Sequence, residues 1–179
     1  MNLPNKITVI RILMIPFFIA ALLIDFPFHQ PIAAALFIIA ALTDSLDGYL
    51  ARSRNLVTDF GKFMDPLADK LLVCSALICF VQLGSVPAWI VIIIIAREFA
   101  ITGLRTLAAS DGIVIAASKW GKAKTMSQMI AIVIILFNNW PFALVNIPAD
   151  TIMIYLATIL TIFSGVDYFI INKKVFRSM

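Results

Sequence analysis

The sequence predicts an all-α integral membrane protein: a bundle of six transmembrane helices forming one domain over residues 1–179. Three observations carry this prediction. The chain is 62% hydrophobic and only 13% charged, with a mean hydropathy of +1.02, whereas soluble domains carry about 25% charged residues. Six apolar runs, roughly 9–25, 31–51, 66–84, 87–107, 119–138 and 150–171, are close to or beyond the length of about 18 residues that marks a membrane span. The runs are continuous instead of alternating, which argues against a β-barrel. No linker, low-complexity tract or internal repeat divides the chain.

Basic residues set the orientation. With the N-terminus in the cytoplasm, the outer connections are 25–31, 84–87 and 139–149, and they contain no Lys or Arg. The inner ends carry Lys6, Arg52, Arg54, Lys62, Lys122, Lys124, Lys173 and Lys174. Both termini are then cytoplasmic. Positive-inside sorting accounts for much of the net charge of +4, so no nucleic-acid partner is needed.

Each run has its own justification. Lys6 and Arg11 ahead of "ILMIPFFIAALLI" have the layout of a signal peptide, but five further runs favour a retained first helix. His29 falls in the first outer loop as a surface residue. The second run, "PIAAALFIIAAL", ends in "TDSLDGYLAR", and the third opens at "DPLADK". Cys74 and Cys79 on the third fit neither a disulfide framework nor a zinc site, and they read as reduced packing residues. The fourth holds Arg97, Glu98 and Arg105 within its length, the fifth opens with Lys119, Lys122 and Lys124, and the sixth is apolar apart from Asp150 and Asp167.

Charged groups in a membrane span are costly and mark function by default. Asp44 and Asp47 are three apart, so they share a helix face with Cβ atoms about 5–6 Å from each other. Gly48 and Ala51 continue that stripe and make a groove floor where a ligand can approach the backbone. Asp65 and Asp69 repeat the pattern on the next helix, and the short connection makes the two helices antiparallel neighbours. Four carboxylates thus meet at the cytoplasmic side. They cannot all stay ionised unaided, so either their pKa values rise or cations neutralise them. An all-oxygen set suits Mg2+, Mn2+ or Ca2+. Taken singly, the residues have plainer readings. Asp65 before Pro66 is also a helix N-cap with Pro at N1. Either Asp44 or Asp47 could simply pair with Arg52, and Gly48 could simply pack.

The pattern Asp44-x2-Asp47-Gly48-x2-Ala51-Arg52-x8-Gly61-x3-Asp65-x3-Asp69 resembles the signature of the CDP-alcohol phosphotransferase family at every defined position. The resemblance implies a six-span fold with a cytoplasmic site, in the bacterial cytoplasmic membrane, and a homodimer. It implies transfer of the phosphate-linked group of a CDP-linked lipid or alcohol to an acceptor hydroxyl, with release of CMP. It places two divalent ions, Mg2+ or Mn2+, on Asp44, Asp47, Asp65 and Asp69, and makes Asp69 the general base. Asp44, Gly48, Ala51 and Arg52 then lie along the CDP.

Arginines inside a span face the bundle interior or a cavity, and Glu98 is a candidate partner for Arg97 or Arg105. Arg105 could join Lys122 and Lys124 in a cationic pocket for a phosphate; for the lysines, membrane anchoring is the plainer alternative. "GKAKT" is no P-loop, because Ala123 follows Lys122 and position 116 is Ala. The segments "NLPNKITVIRIL", "REFAITGLR" and "GKAKT" resemble the bacterial members of the family that act on glycerol phosphate. That resemblance implies CDP-diacylglycerol and sn-glycerol 3-phosphate as substrates, and puts Asn5, Thr8, Arg11 and Arg97 near the substrate cavity. Sister enzymes with other acceptors, such as phosphatidylglycerol or inositol phosphate, stay open. A divalent-cation transporter is disfavoured, since transporter sites lie near the bilayer midplane in repeated halves.

A groove floor at Gly48 has a direct consequence. Gly48→Val is expected to abolish CDP-diacylglycerol binding while Mn2+ binding stays measurable in the purified protein; equal lipid affinity would mean that Gly48 only packs helices.

Overall fold

The computed structural model describes residues 3–53, 59–110, 115 and 118–173; for 3, 4, 44–53, 59, 60, 62, 63 and 110 it describes the backbone alone. The described residues form six α-helices and no strand: α1 (Leu3–Leu23), α2 (His29–Ser53), α3 (Asp59–Gln82), α4 (Ala88–Ser110), α5 (Lys119–Leu136) and α6 (Ala149–Ile171). A single 3-10 turn, Phe142–Val145, lies between α5 and α6. Each apolar run of the sequence thus corresponds to one helix. Arg54, Lys174 and the side chain of Lys62 lie outside the described residues.

Two of the helical segments, Asn5–Leu23 and Ala149–Ile171, are long and apolar enough to cross a membrane. In α2 the described side chains His29–Thr43 form an apolar stretch, and the acidic motif follows it in the sequence. Charges interrupt α3, α4 and α5 in the same way, at Asp65, Asp69 and Lys70, at Arg97, Glu98 and Arg105, and at Lys119, Lys122 and Lys124.

The helices fall into two compact units, Met1–Ser85 and Val86–Met179. In the first, α1 packs on both α2 and α3, which touch each other less extensively. Its core alternates small and large side chains: Ala33, Ala34 and Ala40 of α2 and Ala68 and Ala76 of α3 let backbones approach. Phe18, Phe37, Leu72, Leu77 and Phe80 fill the remaining space. Phe18 and Phe37 meet with ring centroids 5.7 Å apart. Helix α3 ends in a Schellman turn, with Ser85 N donating to Phe80 O (2.9 Å) and Gly84 N to Val81 O (3.1 Å). Gly84 takes φ +71° there, a conformation side chains disfavour.

Two expectations need correction. Helix α3 starts at Asp59, so Pro66 lies inside it and Asp65 is no N-cap. Hydropathy hid this start, because Asp59, Lys62 and Asp65 interrupt its apolar residues Phe60, Phe63 and Met64. His29 begins α2 and is half-buried, 3.5 Å from Asp25 and against the Phe26 ring, instead of standing in a loop.

In the second unit α6 packs chiefly on α5 and also on α4. Its buried stripe is Ile154, Ala157, Thr158, Thr161, Ser164, Gly165 and Tyr168, the i, i+3, i+4 spacing of one helix face. The threonine and serine hydroxyls on this face turn back to their own helix, Thr158 to Ile154 O (2.7 Å), Thr161 to Ala157 O (2.6 Å) and Ser164 to Thr161 O (3.1 Å). They therefore add small, satisfied surface to the interface. Ser118 caps α5 by accepting from Gly121 N at 3.0 Å. Cys74 and Cys79 are free thiols, Cys79 buried in the α3 core.

Phe37 is fully buried, so removing its ring should leave a cavity. Phe37→Ala is expected to lower stability by roughly 3–5 kcal/mol, read as a lower thermal midpoint in detergent; an unchanged midpoint would mean that α1 and α2 do not pack here.

Candidate active site

The acidic motif runs from the last turns of α2 into the first turns of α3. The α2 backbone is helical through Ser53, so positions 44, 47, 48 and 51 keep the helical register their spacing requires. The side chains of Asp44, Asp47, Gly48, Ala51 and Arg52 lie outside the described residues. Asp65 and Asp69 are described, one turn apart on α3 and both half-buried.

Asp65 reaches a third helix. Thr8 Oγ1 of α1 donates to Asp65 Oδ1 at 2.6 Å, and Thr8 itself is fully buried. Asn5 and Arg11 are buried beside it along α1. Three polar residues at three-residue intervals inside an apolar helix were visible in the sequence; that one of them holds a motif carboxylate was not. Proximity in space, across 57 residues of chain, made the pair.

Among the described residues no three His, Cys, Asp or Glu side chains converge on one point. Asp65 and Asp69 nevertheless fit a hard divalent cation in their chemistry: oxygen-only donors, one helical turn apart, one of them already oriented by a neighbouring hydroxyl.

The second unit contains an ion cluster. Glu98 Oε1 accepts from Arg97 Nη1 at 3.1 Å and from Lys124 Nζ. The side chains of Arg97, Glu98 and Lys124 are only 16%, 17% and 2% exposed. Glu98 therefore does pair with an arginine of its own helix, Arg97, and ties α4 to α5 through Lys124. Two glycines make room for this. A Cβ on Gly165 would lie 3.4 Å from Arg97 Cγ, and one on Gly121 would lie 3.8 Å from Arg97 Nη2. Both are ordinary van der Waals distances, so the arginine lies alongside both glycines.

The three cations grouped by the sequence have different surroundings. Arg105 and Lys122 are exposed, whereas Lys124 is buried against Glu98. Lys122 and Lys124 are two residues apart, hence about 200° apart around the helix axis, so one faces in while the other faces out. Two cationic side chains thus share one carboxylate oxygen.

These features define an all-helical protein, two of whose helices are apolar enough to cross a membrane, with a carboxylate motif on one helix pair and a buried cation–carboxylate cluster on another. Residues 1–163 match the CDP-alcohol phosphatidyltransferase family. A CDP-diacylglycerol--glycerol-3-phosphate 3-phosphatidyltransferase of Bacillus subtilis (strain 168) is 49% identical, over 99% of this chain and 98% of its own length. Enzymes of the same name from Rickettsia felis and Haemophilus influenzae are 38% and 40% identical, over 98% and 96% of this chain and 97% and 94% of theirs. The chain belongs to the CDP-alcohol phosphatidyltransferase family, and it is an enzyme.

The Glu98 cluster yields a stability prediction. Glu98→Gln keeps the size but removes the negative charge that Arg97 and Lys124 share. The expected loss is on the order of 3–5 kcal/mol, seen as a lower thermal midpoint, while Arg105→Ala on the exposed surface should change it by less than about 0.5 kcal/mol. Equal midpoints for Glu98→Gln and the parent would show that the cluster carries no stability.

Proposed function

We propose that this protein transfers the phosphatidyl group of CDP-diacylglycerol to sn-glycerol 3-phosphate, giving phosphatidylglycerophosphate and CMP. The observation that carries this reading is end-to-end similarity to relatives bearing that activity in their names, on a chain with the complete acidic motif.

The roles follow from the chemistry of the residues. Asp69 takes the proton of the acceptor hydroxyl. The freed oxygen attacks the phosphatidyl phosphorus, the bond from that phosphorus to the CMP oxygen breaks, and CMP leaves with the electron pair. Asp44, Asp47, Asp65 and Asp69 would hold two divalent ions, Mg2+ or Mn2+, which when bound neutralise pyrophosphate charge. Gly48 and Ala51 admit the nucleotide, and Arg52 faces its phosphates. Arg105 and Lys122, both exposed, are the candidates for the acceptor phosphate, whereas Lys124, expected from the sequence to join them, is turned inward against Glu98. Asn5, Thr8 and Arg11 belong to the inner end of α1 beside the motif.

We place the enzyme in the bacterial cytoplasmic membrane as a homodimer of single-domain chains. Each chain has six spans, with its site and both termini on the cytoplasmic side. Supporting this, every α-helix exposes large apolar side chains, for example Phe17, Ile39, Ile78, Ile92, Met126 and Ile159, far more than a water-facing surface carries.

The test is an acceptor panel with CDP-diacylglycerol, scored for the lipid product. Glycerol 3-phosphate should be used and free glycerol refused. A charge-assisted hydrogen bond to phosphate contributes about 1.5–3 kcal/mol. Arg105→Ala is therefore expected to weaken apparent acceptor affinity by roughly ten- to hundredfold, with little change for CDP-diacylglycerol. Use of phosphatidylglycerol or inositol phosphate in place of glycerol 3-phosphate would overturn the acceptor assignment. A mutant weakened only toward the CDP-lipid would move Arg105 to the donor site.

A further inference from the structure

We infer that Thr8 is a positioning residue for Asp65: its hydroxyl sets the direction in which that carboxylate meets a divalent cation. The inference rests on the proposed metal role of Asp65 and adds a residue of α1 to it. Three observations carry it.

The first is the bond itself. Thr8 Oγ1 to Asp65 Oδ1 is 2.6 Å, within the ~2.5–2.7 Å range of a hydroxyl donating to an ionised carboxylate. The second is the rigidity of the donor. Thr8 is fully buried where α1 packs on α3, and its β-branched side chain has few rotamers available, so the hydroxyl direction is fixed by packing. The third is a weakness in the acceptor's own helix. Pro66 lies inside α3 directly after Asp65 and has no backbone N–H to donate one turn back. The turn that carries Asp65 is therefore less restrained by its own helix, and a bond from α1 supplies the restraint. A ligating carboxylate held by such a bond stays aligned for the cation, and loss of the supporting group typically costs about 10–100-fold in metal affinity.

The experiment is a Mn2+ titration of the purified full-length protein in detergent, without lipid substrates, read by electron paramagnetic resonance. Thr8→Val keeps the shape and removes the hydroxyl; Thr8→Ser keeps the hydroxyl. Thr8→Val is expected to weaken Mn2+ binding by about 10–100-fold, Thr8→Ser to restore most of it, and Thr8→Val added to Asp65→Asn to cause no further loss. Where Thr8→Val does not fold, Thr8→Ala replaces it with the same expectation. Parent-like Mn2+ affinity in Thr8→Val, with Asp65→Asn impaired, overturns the inference and leaves the metal role of Asp65 standing. Equal losses in Thr8→Val and Thr8→Ser also overturn it, since packing and not the hydroxyl would then be responsible. Parent-like affinity in Asp65→Asn removes the metal reading and this inference together.

Discussion

Burying an ion costs several kcal/mol unless a well-placed partner offsets it, and this chain has little polar surface on which to leave its charges. The structure answers that constraint with cross-helix bonds. Asp65 of α3 takes the Thr8 hydroxyl of α1, and Glu98 of α4 takes Lys124 of α5 as well as its own neighbour Arg97. Each bond also decides a helix rotation. Helix α1 must turn Thr8 toward α3, and α5 must turn Lys124 toward α4, so the polar groups set which apolar faces are left to point outward.

Close backbone approach makes those bonds possible. Alanines on α2 and α3, and the Ala157, Thr158, Thr161, Ser164 and Gly165 stripe on α6, bring helices near enough for short side chains to meet. The Arg97 stem lies against Gly165, and its guanidinium lies near Gly121. Seen this way, the small residues and the ion cluster form one device, in which the helix contacts hold the cations and the cations tie the helices.

Chemistry that depends on a hydroxyl, a phosphorus and a departing CMP lying in line needs rigid supports. The motif carboxylates stand on helix turns and not on loops, and α1 packs against both helices that carry them. The one irregular point, Pro66 within α3, coincides with the carboxylate that receives an outside bond.

The sequence by itself determined the helices, their number and the acidic motif. Both kinds of information are local: an apolar run reads as a helix from composition, and Asp44/Asp47 or Asp65/Asp69 spacing follows from the pitch of one helix. Helix ends were less legible. The start of α3 at Asp59 was hidden because charges at Asp59, Lys62 and Asp65 break up its apolar residues, and Pro66 mimicked a helix start. The division of Lys122 from Lys124 was in principle readable from the helical repeat, but which of the two turns inward was not. The tertiary structure alone decided that Thr8 serves Asp65, that Lys124 is buried against Glu98, and that Arg97 sits between two glycines. Those contacts join residues dozens of positions apart, and they are fixed by how helices rotate and pack, which the spacing within any one helix does not encode.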